Sequence, residues 1–203
     1  MILTYRNLKI AYVVSCLILG LIILAPTLSL VVTLPVSSER FSELWVLGSE
    51  HTAENNPLNV KVDEYRTVYL GVRNHMRDLE YYVIYVKLRN QSEPLPDIAN
   101  GTASGLRQLF EYRVVLEDGD IWEKQIQFAV DSVSFDGNSS KVMNLLVDGY
   151  ALGVNETALW DPAKNGFYYQ LFFGLWRFDY STSHFEFHDR FVGLWLNATA
   201  TMS

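Results

Sequence analysis

Cysteine is almost absent from this chain of 203 residues. Its one thiol, Cys16, leaves no partner for an intrachain disulfide, so a domain built from this sequence must stand on its apolar core. Charge is absent from residues 10–34 altogether, and no acidic residue occurs before Glu39. Several catalytic motifs are missing as well: there is no G-x-S-x-G, no phosphate-binding loop and no cysteine nucleophile. Beyond residue 34 no long 3.6-residue apolar period occurs, which turns the reading away from helices.

What replaces charge at 10–34 is "IAYVVSCLILGLIILAPTLSLVVTL". At about 1.5 Å per residue, a helix of that length covers roughly 37 Å, enough to cross a bilayer with some tilt. Arg6 and Lys9 precede it, and positive charge on a short flank assigns residues 1–9 to the cytoplasm and residues 35–203 to the outside. A cleaved signal peptide would have a shorter apolar core and a small-x-small site, which does not follow here. "VVSC" partly resembles a lipoprotein box, but the chain stays apolar long after Cys16. A pilin-like leader would carry a glutamate near the start of the helix. A signal anchor fits best.

The part after the anchor holds all 23 acidic residues and 14 of the 16 basic ones, a net charge of −9. That balance argues against nucleic acid and against docking on anionic lipid. Five N-x-[ST] sequons, at Asn90, Asn100, Asn138, Asn155 and Asn197, all lie after the anchor. Composition alone supplies roughly 1.5, so N-linked glycans on an exterior domain are expected.

Short alternating runs indicate an all-β, antiparallel sandwich. Val68, Leu70 and Val72 share one face; so do Tyr82, Ile84, Val86 and Leu88, with Lys87 and Arg89 opposite. Asp118-Gly119 reads as a hairpin turn, after which Trp122, Ile126, Phe128 and Val130 face inward and Glu123, Gln125 and Gln127 outward. Residues 91–107 read as a Pro/Gly/Ser-rich loop and residues 149–166 as a second long connection.

"NGFYYQLFFGLWRFDY", at 165–180, is the densest aromatic stretch. Its apolar part is too short and too polar, with Gln170 and Arg177, to span a membrane. As a strand it is apolar on both faces: Tyr169, Leu171, Phe173 and Leu175 on one, Tyr168, Phe172, Trp176 and Phe178 on the other. Such a strand is central and covered on both sides, by long loops or by another subunit.

"FSELWVLGSEHTAENNPLNVKVDEYRTVYLGVRNH" at 41–75, "LEDGDIWEKQIQF" at 116–128 and "RFVGLWLNAT" at 190–199 together resemble the extracytoplasmic domain of the domain-of-unknown-function 1616 family. The resemblance implies an Ig-like sandwich outside an archaeal membrane and supplies no catalytic residues. This chain departs from the family in having one membrane helix where many members have several, and in extra sequence around 138–166.

His184 and His188 lie four apart, but the alternating Phe185 and Phe187 make this a strand. There the two rings would sit about 13 Å apart, too far for one ion at about 2.1 Å from each, and no metal or cofactor is expected. Both histidines read as solvated beside Glu186 and Arg190, and His51 and His75 as isolated in polar loops. The expected protein is a non-catalytic, membrane-anchored surface glycoprotein, an accessory or structural subunit working through contacts with other subunits or its own copies. A carbohydrate-binding module is the alternative and an unrecognised hydrolase the third reading. Trp176, Phe178, Phe191 and Trp195 are the candidate partner or glycan contacts. In "RFVGLWLNAT", Val192, Leu194 and Leu196 would face the core. A solvent-facing Asn197 would then let its sugar cover Trp195.

If residues 10–34 cross the membrane with residues 1–9 inside, protease added to intact cells will digest the domain after residue 34 and spare an N-terminal tag. Digestion of that tag would reverse the orientation.

Overall fold

The structure is a computed structural model that describes residues 5–33, 39–53 and 58–198. The chain divides into two compact units, Met1–Glu39 and Arg40–Ser203.

The first unit is helix α1, Tyr5–Thr33. It is the one helix among the described residues long and apolar enough to cross a membrane, over Asn7–Leu24. Its described side chains, including Ile10, Leu17, Ile22 and Leu24, are exposed all round. A helix apolar on every side has no water-facing stripe, as a bilayer span requires. Leu34, the last residue of the expected span, lies outside the described residues.

Among its described residues the second unit has ten strands: β1 Phe41–Leu47, β2 Leu58–Val60, β3 Arg66–His75, β4 Glu80–Asn90, β5 Phe110–Leu116, β6 Ile121–Asp136, β7 Ser139–Val147, β8 Tyr150–Asp161, β9 Gly166–Asp179 and β10 His184–Ala198. One sheet runs β1-β3-β6-β7-β8 and the other β5-β4-β9-β10-β2, joined where Trp160 and Asp161 of β8 pair with Phe167 and Gly166 of β9. The inner faces meet in one core. Val68, Leu70, Val72, Ile126, Phe128 and Leu145 come from the first sheet, and Tyr82, Ile84, Val86, Leu171, Phe173, Leu175 and Leu196 from the second. These are the faces expected from the period-two pattern. Glu123, Gln125 and Gln127 are exposed on the other side of β6, as expected. The sandwich is antiparallel except at one edge, where β2 runs parallel to β10 through Leu58, Asn59 and Val60.

Two local expectations are corrected. Asp118-Gly119 is a turn but not a hairpin: β5 pairs with β4, and β6 pairs with β3 and β7. Only Gly119 takes positive φ, at 86°, whereas the type I′ turn that closes a two-residue hairpin needs it at both central positions. The turn therefore carries the chain from one sheet to the other. Residues 149–166 are largely strand β8, which pairs along β7. Gly153, a sequon and Asn155 at φ 60° gave the segment the composition of a loop. A bulge opposite Val142/Asn144 accommodates them at the sheet edge.

The corner between the sheets is held by Asn74, which is completely buried. Its Nδ2 donates to the carbonyls of Asp78 (2.8 Å) and Leu116 (2.9 Å). Its Oδ1 accepts from the Met76 amide (2.8 Å) and the Tyr82 hydroxyl (3.1 Å). Its backbone accepts from Gly119 N and donates to Asp120 O. One residue thus ties the end of β3 to the start of β4 and the end of β5 through its side chain, and to the start of β6 through its backbone.

Asn74→Ala leaves these buried groups without their partner, so a loss of about 3 kcal/mol in unfolding free energy is expected. Denaturant titration measures it; a loss below about 1 kcal/mol would remove Asn74 from this role.

Candidate functional site

Strand β9 lies between β4 and β10, so its outward side chains form the middle of the second sheet's outer face. Register sets that face in rows. Val115, Tyr81, Phe178 and Phe185 make one row, and Arg113, Val83, Trp176 and Phe187 the next. Further along, Arg89, Gln170 and Trp195 make another.

The long loop after β4 covers part of this face. Lys87 Nζ donates to Ser104 O (2.8 Å), and the Arg89 guanidinium bonds to Glu93 O and, through Nε, to Gln170 Oε1 (2.8 Å). Lys87 and Arg89 were expected on the outer face and are there, yet both are 5% exposed. Burial pushes both of their pKa values down. Phe172 is buried in the same zone, with Phe191 stacked on it at 5.3 Å.

Beyond the loop the face stays open. Trp176 meets Tyr85 and Phe187 edge-on, at 5.4 and 6.0 Å. Phe178 meets Phe185 and Tyr180 edge-on, at 5.3 and 5.2 Å. Tyr81 completes the group against Phe185 at 5.0 Å. Arg113 lies over Phe185 at 5.3 Å and is held by Glu111 (2.7 Å) and the Tyr81 hydroxyl (3.0 Å). These rings are half-buried, except Tyr180 at the β9–β10 turn, which is 64% exposed.

The four aromatic residues singled out in the sequence therefore separate. Trp176 and Phe178 belong to the open cluster, and Phe191 borders it through Phe172. Trp195 stands apart, between the Arg89 guanidinium (5.4 Å) and the Lys164 ammonium (5.9 Å). Tyr81, Tyr85, Phe185 and Phe187 were not anticipated. Their signal was available, since β4 carries aromatics on the face opposite Tyr82, Ile84 and Val86.

The Trp195–Asn197 expectation is corrected in part. Val192, Leu194 and Leu196 do turn toward the core, and Trp195 and Asn197 share the other face. Asn197, however, is 9% exposed, with Nδ2 donating to Asn59 Oδ1 (3.1 Å). The Arg89 guanidinium and, from the β8–β9 turn, the Lys164 ammonium lie over the Trp195 ring.

Three of the four histidines depart from expectation; His184, expected to be solvated, does not. His184 is exposed, with Nδ1 against Thr182 O at 2.7 Å. Alternation from Phe187 places His188 inward, and a bulge with Asp189 at φ 50° follows before Arg190. Its Nε2 lies 3.0 Å from Ser42 Oγ, which lies 2.7 Å from the Tyr82 hydroxyl. A buried polar path, Asn74–Tyr82–Ser42–His188, thus crosses from one sheet to the other under the open aromatic cluster. Burial raises the Tyr82 hydroxyl to about 12. His51 is not isolated: it stacks on Tyr69 at 3.7 Å and approaches Glu123 at 3.2 Å. His75 stacks on Phe41 at 4.6 Å. Among the described residues no three His, Cys, Asp or Glu side chains are grouped to hold a metal.

The family model described as a domain of unknown function, DUF1616, matches residues 35–166. No curated protein matches the sequence. Solved structures to which this chain is similar include a β-glucosidase from Listeria innocua, at 9% identity and TM-score 0.40, covering 80% of this chain and 16% of that one. The complex of zinc 2-glycoprotein and prolactin inducible protein from human seminal plasma matches at 9% identity and TM-score 0.37, over 81% of this chain and 99% of that one. The C-terminal domain of wzt matches at 10% and 0.35, over 81% of each chain. This chain spans less than a fifth of the β-glucosidase, and no activity transfers at such likeness.

His188 generates a pH prediction. Burial above all, with Arg177 and Arg190 nearby, lowers its pKa from the ordinary 6.5 to about 4. The unfolded chain therefore binds a proton between these values that the folded domain refuses. The contribution is fully present above pH 6.5 and is lost as pH falls toward 4. Allowing for partial solvent contact it amounts to about 2 kcal/mol. Thermal unfolding of the wild type is expected to weaken from pH 7 to 5 more steeply than that of His188→Gln; parallel curves would refute the assignment.

Proposed function

We propose that this chain, which belongs to the DUF1616 family, is a membrane-anchored surface protein that serves as a non-catalytic accessory or structural subunit, meeting a second protein through the open aromatic face. The observation that carries the reading is the cluster of Tyr81, Tyr85, Trp176, Phe178, Tyr180, Phe185 and Phe187 left uncovered on the second sheet. Aromatic residues with an arginine at their edge are the composition of protein contacts, where large rigid rings bury much area at low entropic cost. The apolar helix α1 supports the anchor. The basic flank and the position of every sequon after the helix support an outward-facing domain.

A carbohydrate-binding module would present coplanar exposed rings. Here the rings meet edge-on, at interplanar angles of 61° to 80° for the Trp176–Phe187, Trp176–Tyr85, Phe178–Phe185 and Phe178–Tyr180 pairs. Such a surface is corrugated and suits interdigitating side chains better than the flat face of a sugar. A hydrolase would need an open reacting group. The serine–histidine contact between Ser42 and His188 is sealed, Ser42 being 1% exposed.

The test is the mass of the full-length chain in mild detergent. An assembly heavier than the monomer is expected, reduced to monomer by Tyr180→Asp with Phe178→Ser while the thermal midpoint stays within a few degrees. A monomeric wild type, or an assembly untouched by these changes, would refute the proposed surface.

A further inference from the structure

The five sequons are not equivalent in the fold. Asn100, Asn138 and Asn155 are exposed. Asn100 sits in a short turn whose Asp97 accepts from its Nδ2 at 2.6 Å, a bond that needs only one of the two amide protons. Asn138 lies in the β6–β7 turn, where its carbonyl, not its side chain, accepts from the Trp160 amide at 2.8 Å. Asn155 occupies the bulge of β8 with φ 60°. In each case Nδ2 can carry a substituent without any buried contact being broken.

Asn90 and Asn197 differ. Asn90 spends both protons of Nδ2 inside the protein, on Glu156 Oε1 (2.9 Å) and Thr157 O (3.0 Å). Its Oδ1 accepts from Ser92 N, Ser92 Oγ and Glu93 N. Burial, and then Glu93, raise the pKa of the Glu156 carboxyl, so this amide is a principal partner of a half-buried acid. Asn197 is tighter still. Its side chain lies directly on Gly166, where a methyl group would collide with Oδ1. Its Nδ2 closes the parallel β2–β10 edge through Asn59, and Oδ1 is buried without a hydrogen-bond partner. No volume remains for a sugar.

We propose that the folded domain carries N-linked glycans at Asn100, Asn138 and Asn155, and that Asn90 and Asn197 are structural asparagines that stay bare. The inference rests on the outward placement of the domain. The step is glycosyl transfer from a phosphate-linked oligosaccharide donor. A bond forms between Nδ2 and the anomeric carbon, the anomeric carbon–oxygen bond to phosphate breaks, the phosphate leaves with the electron pair, and Nδ2 gives one proton to a base. The restriction holds whichever comes first, folding or transfer, because a sugar on Asn197 and the closed β2–β10 edge exclude one another.

The glycans would then serve the edge of the first sheet. β8 is that sheet's outer strand, paired along its length only with β7. A bulged residue bearing a bulky polar group is an effective block against pairing with another chain. Asn138 flanks the same edge from the adjoining turn.

The full-length chain purified from its native membranes decides, by glycopeptide mass spectrometry and intact mass. Glycopeptides spanning Asn100, Asn138 and Asn155, with unmodified peptides spanning Asn90 and Asn197, are expected. Asn138→Gln and Thr157→Ala should each remove the mass of one glycan. Thr199→Ala, which destroys the last sequon without touching Asn197, should leave the mass unchanged. A glycan on Asn90 or Asn197, or bare peptides at all three exposed positions, would overturn the proposal. Bare peptides from a domain that protease digests on intact cells would sink the glycans and leave the outward placement standing.

Discussion

Two sheets that pack face to face must be connected somewhere, and every connection drags backbone polar groups across an apolar core. In this domain Asn74 meets that constraint. A buried amide is tolerable only when its donors and acceptors are all engaged, and Asn74 engages them on three segments, the β3–β4 turn, β4 and β5. The Tyr82 hydroxyl then passes the polar path to Ser42 and on to His188. His188 ends this path on the face of β10 opposite Phe187, and a bulge follows before Arg190 pairs with Leu175. The bulge adds two residues and so preserves the alternation, and Phe185 and Phe187 before it and Phe191 after it all stand on the outer face. The open aromatic cluster is thus tied to a polar path buried beneath it.

The outer face of the second sheet shows two solutions to one problem. Strand β9 is apolar on both sides, so one side enters the core and the other must find cover. Toward Asn90 the loop after β4 supplies it, at the cost of desolvating Lys87 and Arg89. Both charges are compensated: the lysine finds the Ser104 carbonyl, and the arginine finds Gln170, the Glu93 carbonyl and the face of Trp195. Toward Tyr81 no segment among the described residues crosses the sheet. The rings there cover one another edge to edge, which hides part of each and leaves the assembly half-wet.

What could be read from the sequence was whatever depends on period two. Val68, Leu70 and Val72, or Tyr82, Ile84 and Val86, alternate so strongly that face and burial follow directly. Helix α1 was legible for the same reason in reverse, a run with no polar side at all. The misreadings share a different cause. Asp118-Gly119 has hairpin composition, but pairing partners depend on contacts distant in sequence, such as Asn74 with Leu116. Strand β8 was hidden because an edge strand with a bulge tolerates Gly153 and Asn155, residues that otherwise mark loops. His188 was misplaced because the side of β10 opposite Phe187 is covered at that point by Ser42, 146 residues away in sequence. Asn197 was placed on the correct face, yet its burial depends on Asn59 and Gly166, neither of which is near it in sequence. At the aromatic face Trp176 and Phe178 were legible from density alone. Their neighbours on β4 and β10 showed the matching alternation, but only the strand order β4-β9-β10 brings them together.

The two ends of the sandwich carry opposite chemistry, and the strand lengths keep them apart. Tyr81 and Asn90 stand nine residues apart on β4, about 30 Å at strand rise. At the Asn90 end lie Glu156 and Thr157 of β8, Asn197 and the Asn138 turn. Polar side chains and amide networks close that end. At the Tyr81 end lie Phe178, Tyr180 and Phe185, rings whose burial the domain leaves incomplete. A strand can run straight between such ends only if its inner face does not alternate in polarity. β4 satisfies this with Tyr82, Ile84, Val86 and Leu88 in unbroken sequence. The continuous core is what allows one outer surface to change from wet to apolar along its length. Because β4, β9 and β10 are hydrogen-bonded side by side, the change happens at the same height on all three, and the aromatic residues form a patch rather than a scatter.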